Sequence, residues 1–290
     1  MEDIRKHDRI QMQIISACER LGINAKQEYS GKGWRADVFI QSDTRPIAFE
    51  IQLSPQSLSK TLLRQSKYIR DEIIGCWLFE NPIPKLNEER PDLPVFYVED
   101  NDNSDLMVNL GTRRKIDLQT FLENFISNKI QFRHIANTNP IQNIKIVFYE
   151  MTCWKCKELN HLFYVKTPFT STCNAIIKPE EALWESNSIE YKPEIIELAS
   201  NFVDSKKDLN LRLGQIKERF SNTVGHSYMS FGCYKCDSIF GDFYVMDAKV
   251  DAMYDTTLIS HQGQIELKQI IELNIPHWCF PANGHFCSDH

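Results

Sequence analysis

Long apolar runs are missing from this 290-residue chain: nowhere do about 18 uninterrupted hydrophobic residues follow one another, as a membrane-spanning helix would need. The opening MEDIRKHDRIQ is charged where a secretory leader needs an apolar stretch. A cytoplasmic chain, neither membrane-inserted nor secreted, is therefore expected. A bulk basic excess is missing too. Lys plus Arg number 33 against 39 Asp plus Glu, a net charge of −6, so a general polycationic coat for nucleic acid is excluded and any such surface has to be local. The acid excess lies in the C-terminal half. What remains is 42% hydrophobic and 25% charged, ordinary globular composition and enough chain for two cores.

Nine cysteines without a secretory leader read as metal thiolates or buried apolar thiols rather than disulfides. Cys18 and Cys76 stand alone in apolar stretches and are expected in a core. The other seven all follow residue 150.

Helical spacing of Ile10, Ile14, Ala17, Cys18 and Leu21 predicts a helix over 4–21, stopped by Gly22. Three strands with short antiparallel connections follow, INAKQEYS, WRADVFIQ and PIAFEIQL. Ser54-Pro55 then offers an N-cap and a first-turn proline for a second helix reaching about residue 72. IIGCWLFE has the continuous apolar character of a buried parallel strand; VFYVED is another strand, and KIDLQTFLENFISNKIQF a closing helix. The pattern lapses over 136–144, which is read as a linker between one domain at 1–135 and another at 145–290. In the second, 145–175 and 227–256 are aromatic and β-rich, and the acidic stretch at about 178–220 reads as a helical insertion.

Three acids fall in the strand region: Glu28, Asp37 within WRADVF, and Glu50 within AFEIQL. Each alone also suits the polar face of an alternating strand. Asp37 and Glu50, however, lie on neighbouring strands across one short turn, in apolar company that makes an unneutralised carboxylate costly. Paired hard oxygen donors of this kind suit Mg²⁺ or Mn²⁺. Aspartate, a short turn, Glu-x-Gln and a serine-capped helix resemble the core of the PD-(D/E)XK nuclease superfamily, and RADVF…IAFEIQLS…S…R…Y…W is similar to its competence protein CoiA-like branch. The resemblance covers roughly residues 1–135. It implies a restriction-endonuclease-like α/β fold, a mixed sheet flanked by helices, acting on DNA. Asp37 and Glu50 would then be catalytic metal ligands, with the Ile51 carbonyl as a further one. Glu28 would be an auxiliary acid, with Glu19 a rival for that role, and Gln52 stands where most of the superfamily has lysine. Glutamine cannot lend positive charge to the attacking water, so the metal would carry more of the electrostatic work.

On the second helix Ser57, Thr61, Arg64 and Tyr68 share one face. Ser57, Arg64 and Tyr68 match polar positions of the family and, with Arg35, are nucleic-acid-binding candidates; Arg64 could hold a phosphate oxygen by paired hydrogen bonds. A solvated face with one snorkelling arginine is the plainer reading. Lys32, Lys60, Lys67 and Arg70 could extend a basic rim.

TCWKCK and GCYKCD form an internal repeat that aligns Cys153 with Cys233 and Cys156 with Cys236, and beyond them Phe163-Tyr164-Val165 with Phe243-Tyr244-Val245. Two such thiolate pairs complete a tetrahedral Cys₄ Zn²⁺ site of zinc-ribbon type, closed and hence structural. The tail IPHWCFPANGHFCSDH holds His277, Cys279, His285, Cys287 and His290. With Cys173 or His161 these could supply a second metal site, but their spacing matches no compact motif.

Two functions follow. One is a Mg²⁺-dependent DNA nuclease whose zinc-binding C-terminal region contacts DNA or a protein partner. The other is a non-catalytic nucleic-acid or protein-binding module that kept the fold. Retention of both Asp37 and Glu50 favours the enzyme.

Overall fold

The computed structural model describes every residue except 1–4, 42–44, 104, 112, 180, 182–188, 283 and 288–290. Residue 4 at the start of the first expected helix, residues 42–44 in the short turn between Asp37 and Glu50, and His290 thus lie outside the described residues. The chain forms two compact units: residues 1–137 with 171–176 and 274–290, and residues 138–170 with 177–273.

The first unit begins with α1 (Lys6–Arg20), β1 (Ala25–Ser30), β2 (Arg35–Ile40), β3 (Ile47–Gln52), α2 (Leu58–Arg70), β4 (Ile74–Phe79), β5 (Val95–Asp100), β6 (Leu106–Leu110), β7 (Arg114–Asp117), α3 (Leu118–Ile126) and β8 (Gln131–Asn137). Strands β1 to β7 form one sheet in sequence order. Its outer pairs are antiparallel, while β3–β4 and β4–β5 are parallel. Parallel neighbours need a crossover, and α2 supplies the one from β3 to β4. One sheet face packs on α1 and α3 through Ile10, Ile14, Phe121 and Phe125. The other packs on α2 through Tyr68, Trp77 and Phe79. This is the expected α/β arrangement of a mixed sheet flanked by helices, with Cys18 and Cys76 in its core at 1% and 0% exposure.

The second unit contains β9 (Ile141–Thr152), β10 (Leu159–Val165) and β11 (Phe169–Thr170). After β12 (Ile176–Ile177) come α4 (Pro193–Ser205), β13 (Gln215–Ser221), β14 (His226–Gly232), α5 (Asp242–Met253) and β15 (Ser260–Glu266). A three-stranded sheet of order β10-β9-β15 and the β13–β14 hairpin make it β-rich. The last strand, β16 (Glu272–Cys279), pairs with β8 and returns the tail to the first unit.

Several local expectations shift. α2 starts at Leu58 rather than at Ser54-Pro55: Gln56 is buried and donates to Thr61 Oγ1, which holds it ahead of the helix, and Ser57 becomes the cap by accepting from the Lys60 amide. The closing helix is confined to Leu118–Ile126, because Asp117 caps it through the Thr120 amide and Asn128 leaves it with a left-handed φ of 57°. Ahead of it lies the β6–β7 hairpin, whose strand LMVNL alternates buried and half-buried residues. Within the acidic stretch α4 is joined by β13, so that stretch is not wholly helical. Conversely α5 occupies part of the aromatic run read as β-rich, with Gly241 at its N-cap and Asp242 in its first turn.

Phe125 is fully buried, with ring centroids of Phe49, Phe96, Phe121 and Trp278 5.4–6.1 Å away. Truncating such a hub removes transfer energy and leaves a cavity. Phe125→Ala should therefore cost the first unit about 3–5 kcal/mol, read as a drop in the urea midpoint of its unfolding transition.

Candidate active site and metal centres

The antiparallel β2–β3 ladder runs from Ile40↔Ile47 to Val38↔Phe49, so one step further the same register sets Asp37 opposite Glu50. There the pairing stops, and Asp37 Oδ2 accepts the Ile51 backbone amide at 2.6 Å. The two acids differ in surroundings. The Asp37 side chain is 22% exposed and has His7 Nε2 3.7 Å from Oδ2. Glu50 is sealed at 2% exposure between β3 and α2. One of its oxygens accepts from Arg64 and the other from the Tyr68 hydroxyl, each at 2.5 Å. The guanidinium of Arg64 in turn lies over the Trp77 ring, 4.8 Å from its centroid.

Desolvation dominates the titration of Glu50: burial pushes its carboxyl up to about 7, against the opposing pull of Tyr68 and Arg64, and the nearby charge of Asp37 adds to the upward push. Burial, with the adjoining Glu50, likewise pushes the Tyr68 hydroxyl well above the ordinary phenol range.

The other candidates fall around this pair. Glu28 has a left-handed φ of 50° and turns its carboxylate to Arg35 at 2.5 Å. Gln52 donates its amide to the Ser54 carbonyl at 2.9 Å. Ser57 is occupied as the cap of α2. Arg35, Arg64 and Lys67, with Trp34 and Tyr68, line a groove of about 380 Å³, and no acidic residue is among the described residues of its lining. Two further site residues come from α1. Gln11 donates to the Asp37 carbonyl at 2.9 Å and reaches Glu28 Oε1 at 3.5 Å, and His7 sits one turn earlier. Their i, i+4 spacing on a helix otherwise defined by its apolar face was the available signal.

Among the described residues, the groups of three or more candidate ligands within 4.8 Å of one another are Cys153, Cys156, Cys233 and Cys236, and Cys173, His277, Cys279 and Cys287. Glu28, Asp37 and Glu50 thus do not close on one point in this state. The first cluster is the expected pair of knuckles. Cys153 Sγ lies 3.6 Å from Cys236 Sγ, and Cys156 Sγ 3.5 Å from Cys233 Sγ, close to the edge of about 3.8 Å that tetrahedral Zn–S bonds of about 2.3 Å imply. Each knuckle folds alike. The first cysteine's amide donates to the carbonyl five residues on, at Glu158 and Ser238, and the residue four on, Lys157 or Asp237, has a left-handed φ and donates back. Hydrogen bonding between Cys236 and Ser238, outweighing desolvation, draws the Cys236 thiol down to about 6, which suits a thiolate ligand. Both clusters could hold zinc.

The repeat ends at the knuckle. Phe163, Tyr164 and Val165 are buried in β10, whereas Phe243 and Tyr244 stand 78% and 66% exposed on α5. His161 accepts from the Arg212 amide and joins neither cluster. No helix of the described residues is long and apolar enough to cross a membrane.

Compared with known proteins, residues 5–166 match the family model described as competence protein CoiA, nuclease-like domain, more than half of the chain. No curated protein and no solved structure matches.

The raised pKa of Glu50 fixes a sign. Between the usual carboxylate range and about 7, the folded chain holds a proton that the unfolded chain has released, so stability falls as pH rises through that window. In divalent-free buffer the stability of Glu50→Gln relative to wild type should therefore increase between about pH 5 and pH 7.5, measured by chemical denaturation. A pH-independent difference would contradict the assignment.

Proposed function

The chain belongs to the competence protein CoiA nuclease-like family, and from that premise we propose that its first unit is a Mg²⁺- or Mn²⁺-dependent nuclease of PD-(D/E)XK type that hydrolyses DNA phosphodiester bonds. The observation that carries this reading is Glu50: a carboxylate 2% exposed, electrostatically coupled to Asp37 and held half-titrated near neutral pH by desolvation. Such a group gains from a second cation, and the oxygen donors available are hard ones. Asp37, Glu50 and the Ile51 carbonyl would hold the ion. Bound there, Mg²⁺ would supply the chemistry of lowering the pKa of water for in-line attack and offsetting charge on the phosphorus oxygens.

The chain's own residues have separate tasks. Ile51's amide fixes the Asp37 carboxylate, while Gln11 ties the Asp37 backbone to the auxiliary acid Glu28. Tyr68 acts as a positioning residue, because its hydroxyl is committed to Glu50. Arg35, Arg64 and Lys67 offer phosphate contacts along the groove. Gln52 contributes a neutral amide at the end of β3 and no positive charge. In the second unit, Cys153, Cys156, Cys233 and Cys236 hold one structural Zn²⁺.

Two observations favour the non-catalytic module instead: Gln52 in place of lysine, and an Arg64 already paired with Glu50. The assay that decides incubates circular and linear DNA with protein and Mg²⁺ or Mn²⁺, beside an Asp37→Ala, Glu50→Ala double variant. Cleavage by wild type alone, with DNA binding that weakens steeply with salt, is the expected result. Equal cleavage by both proteins, or none by either, removes the nuclease reading, and binding without cutting leaves the module.

The knuckle site makes its own prediction. Cys153→Ser with Cys233→Ser should lower the zinc content by one ion per chain by elemental analysis. Because a structural zinc contributes on the order of 10–16 kcal/mol, proteases should then cut within 177–273, a segment of the second unit.

A further inference from the structure

Four ligand groups, one of them about a hundred residues from the other three, meet inside the first unit. Cys173 lies in the 171–176 turn, His277 and Cys279 on β16, and Cys287 in the tail beyond it. Each is at most 1% exposed, and their ligand atoms all lie within 4.8 Å of one another. We propose that these residues bind a second Zn²⁺, one that fastens the 171–176 turn and the C-terminal strand to the seven-stranded unit.

The surroundings are arranged for metal at each ligand. His277 Nδ1 lies 2.8 Å from the Ile275 carbonyl, so it carries the proton and donates there. That leaves the Nε2 lone pair facing Cys173 Sγ at 3.5 Å. An imidazole oriented through its far nitrogen is the usual state of a zinc-bound histidine, and a tetrahedral ion implies a sulfur–nitrogen edge of about 3.5 Å. Hydroxyls stand where thiolates would accept from them, Ser171 Oγ 3.2 Å from Cys173 Sγ and Thr172 Oγ1 3.3 Å from Cys287 Sγ. All three cysteines are free of disulfides. Three thiolates and an imidazole select a soft, tetrahedral ion, and four protein ligands close the site to substrate.

The fastening role follows from the strand's alternation. His277 and Cys279 share one side of β16, while Trp278 between them points the opposite way into the core, against Phe96, Phe125 and Phe132. The Trp278 amide also donates to Glu89 at 3.0 Å. One guanidinium nitrogen of Arg114, on β7, donates to the carbonyls of both Cys173 and Phe280 at 2.7 Å. Ligation on one side of β16 thus holds an aromatic anchor of the core in place on the other.

The test uses full-length protein purified without chelator. Native mass spectrometry and elemental analysis should give two zinc ions per chain. Cys279→Ser with Cys287→Ser should leave one, as should Cys153→Ser with Cys233→Ser. Should the first of these variants fail to fold, Co²⁺ titration of the metal-free wild-type chain still decides: thiolate charge-transfer absorbance should saturate at two equivalents. Hydrogen exchange of the Cys279/Cys287 variant should accelerate over 131–137, 171–176 and 274–287 and leave 215–232 protected. One zinc or one equivalent of Co²⁺ in the wild type, or a zinc content unchanged in that variant, overturns the site. Exchange altered everywhere alike, or nowhere, overturns the fastening role.

Discussion

A carboxylate withdrawn from water has to be answered by something, and the architecture of the first unit around Glu50 is that answer. Left alone in a low-dielectric interior, the ionised group would cost several kcal/mol. α2 meets the need with Arg64 and Tyr68, one turn apart and both reaching back to β3. Arg64 is steadied in turn by Trp77 on β4, and the Trp77 indole donates to Gln65 on the same helix at 2.7 Å. The helix can approach β4 this closely because position 75 is glycine: a Cβ there would stand 2.1 Å from the Gln65 oxygen and 3.0 Å from the Tyr68 ring. Burial of one acid therefore propagates into the register of a helix against two strands.

Sulfur poses the same problem in the second unit. The second knuckle, which presents backbone amides and a hydroxyl to Cys233 and Cys236, favours their thiolate form, whereas the neighbouring cysteines push Cys156 the other way, and a bound ion would answer the charge of the whole cluster. The two knuckles also have contacts of their own that hold their shape. Asp237, the left-handed residue of the second, is gripped by Arg219, which also donates to the Ser230 carbonyl at 2.6 Å. Glu158, just after the first, gathers Tyr234, Arg212 and Lys235. The side chains that follow one cysteine pair are thereby joined to those within the other, and the loops are held in ligating form by charge–charge and hydrogen-bond contacts of their own.

What could be read in the sequence was what depends on near neighbours. The β2–β3 hairpin, the crossover helix, the buried parallel strand at IIGCWLFE and each C-x-x-C knuckle announce themselves within a short stretch of chain, and all are present. The β6–β7 hairpin escaped because its strands are four and five residues long and one runs directly into the cap of α3. α5 escaped for another reason: its aromatic residues carry β propensity, which reports fit to a half-buried pleated surface, yet Phe243 and Tyr244 are exposed. The cluster at Cys173 could be read only as one open combination among the tail's cysteines and histidines, because its ligands are brought together by topology. Only once β16 is known to pair with β8 do residues 173 and 277 become neighbours. The contiguous division at 136–144 differs from the compact units for the same cause, since the return of 171–176 and 274–290 to the first unit is a long-range event.

The donor sets sort by hardness, and that sorting bears on how one chain could manage two kinds of ion. Carboxylate oxygens such as those of Asp37 and Glu50 would bind Zn²⁺ more tightly than Mn²⁺ if both were equally available, because Mn²⁺ stands lowest in the first-row series of affinities for a given site. Selectivity then has to come from competition. Preshaped clusters of thiolate and imidazole would draw zinc far more strongly than a carboxylate pair of which one member is partly exposed and the other, buried, would bind a cation only by giving up a proton near neutral pH. A pair that binds weakly is also one from which an ion exchanges readily, as a turnover metal must. Closed sulfur sites for permanence and an oxygen pair for exchange would thus be two consequences of the same rule, that a buried anionic donor takes the ion its softness and geometry allow.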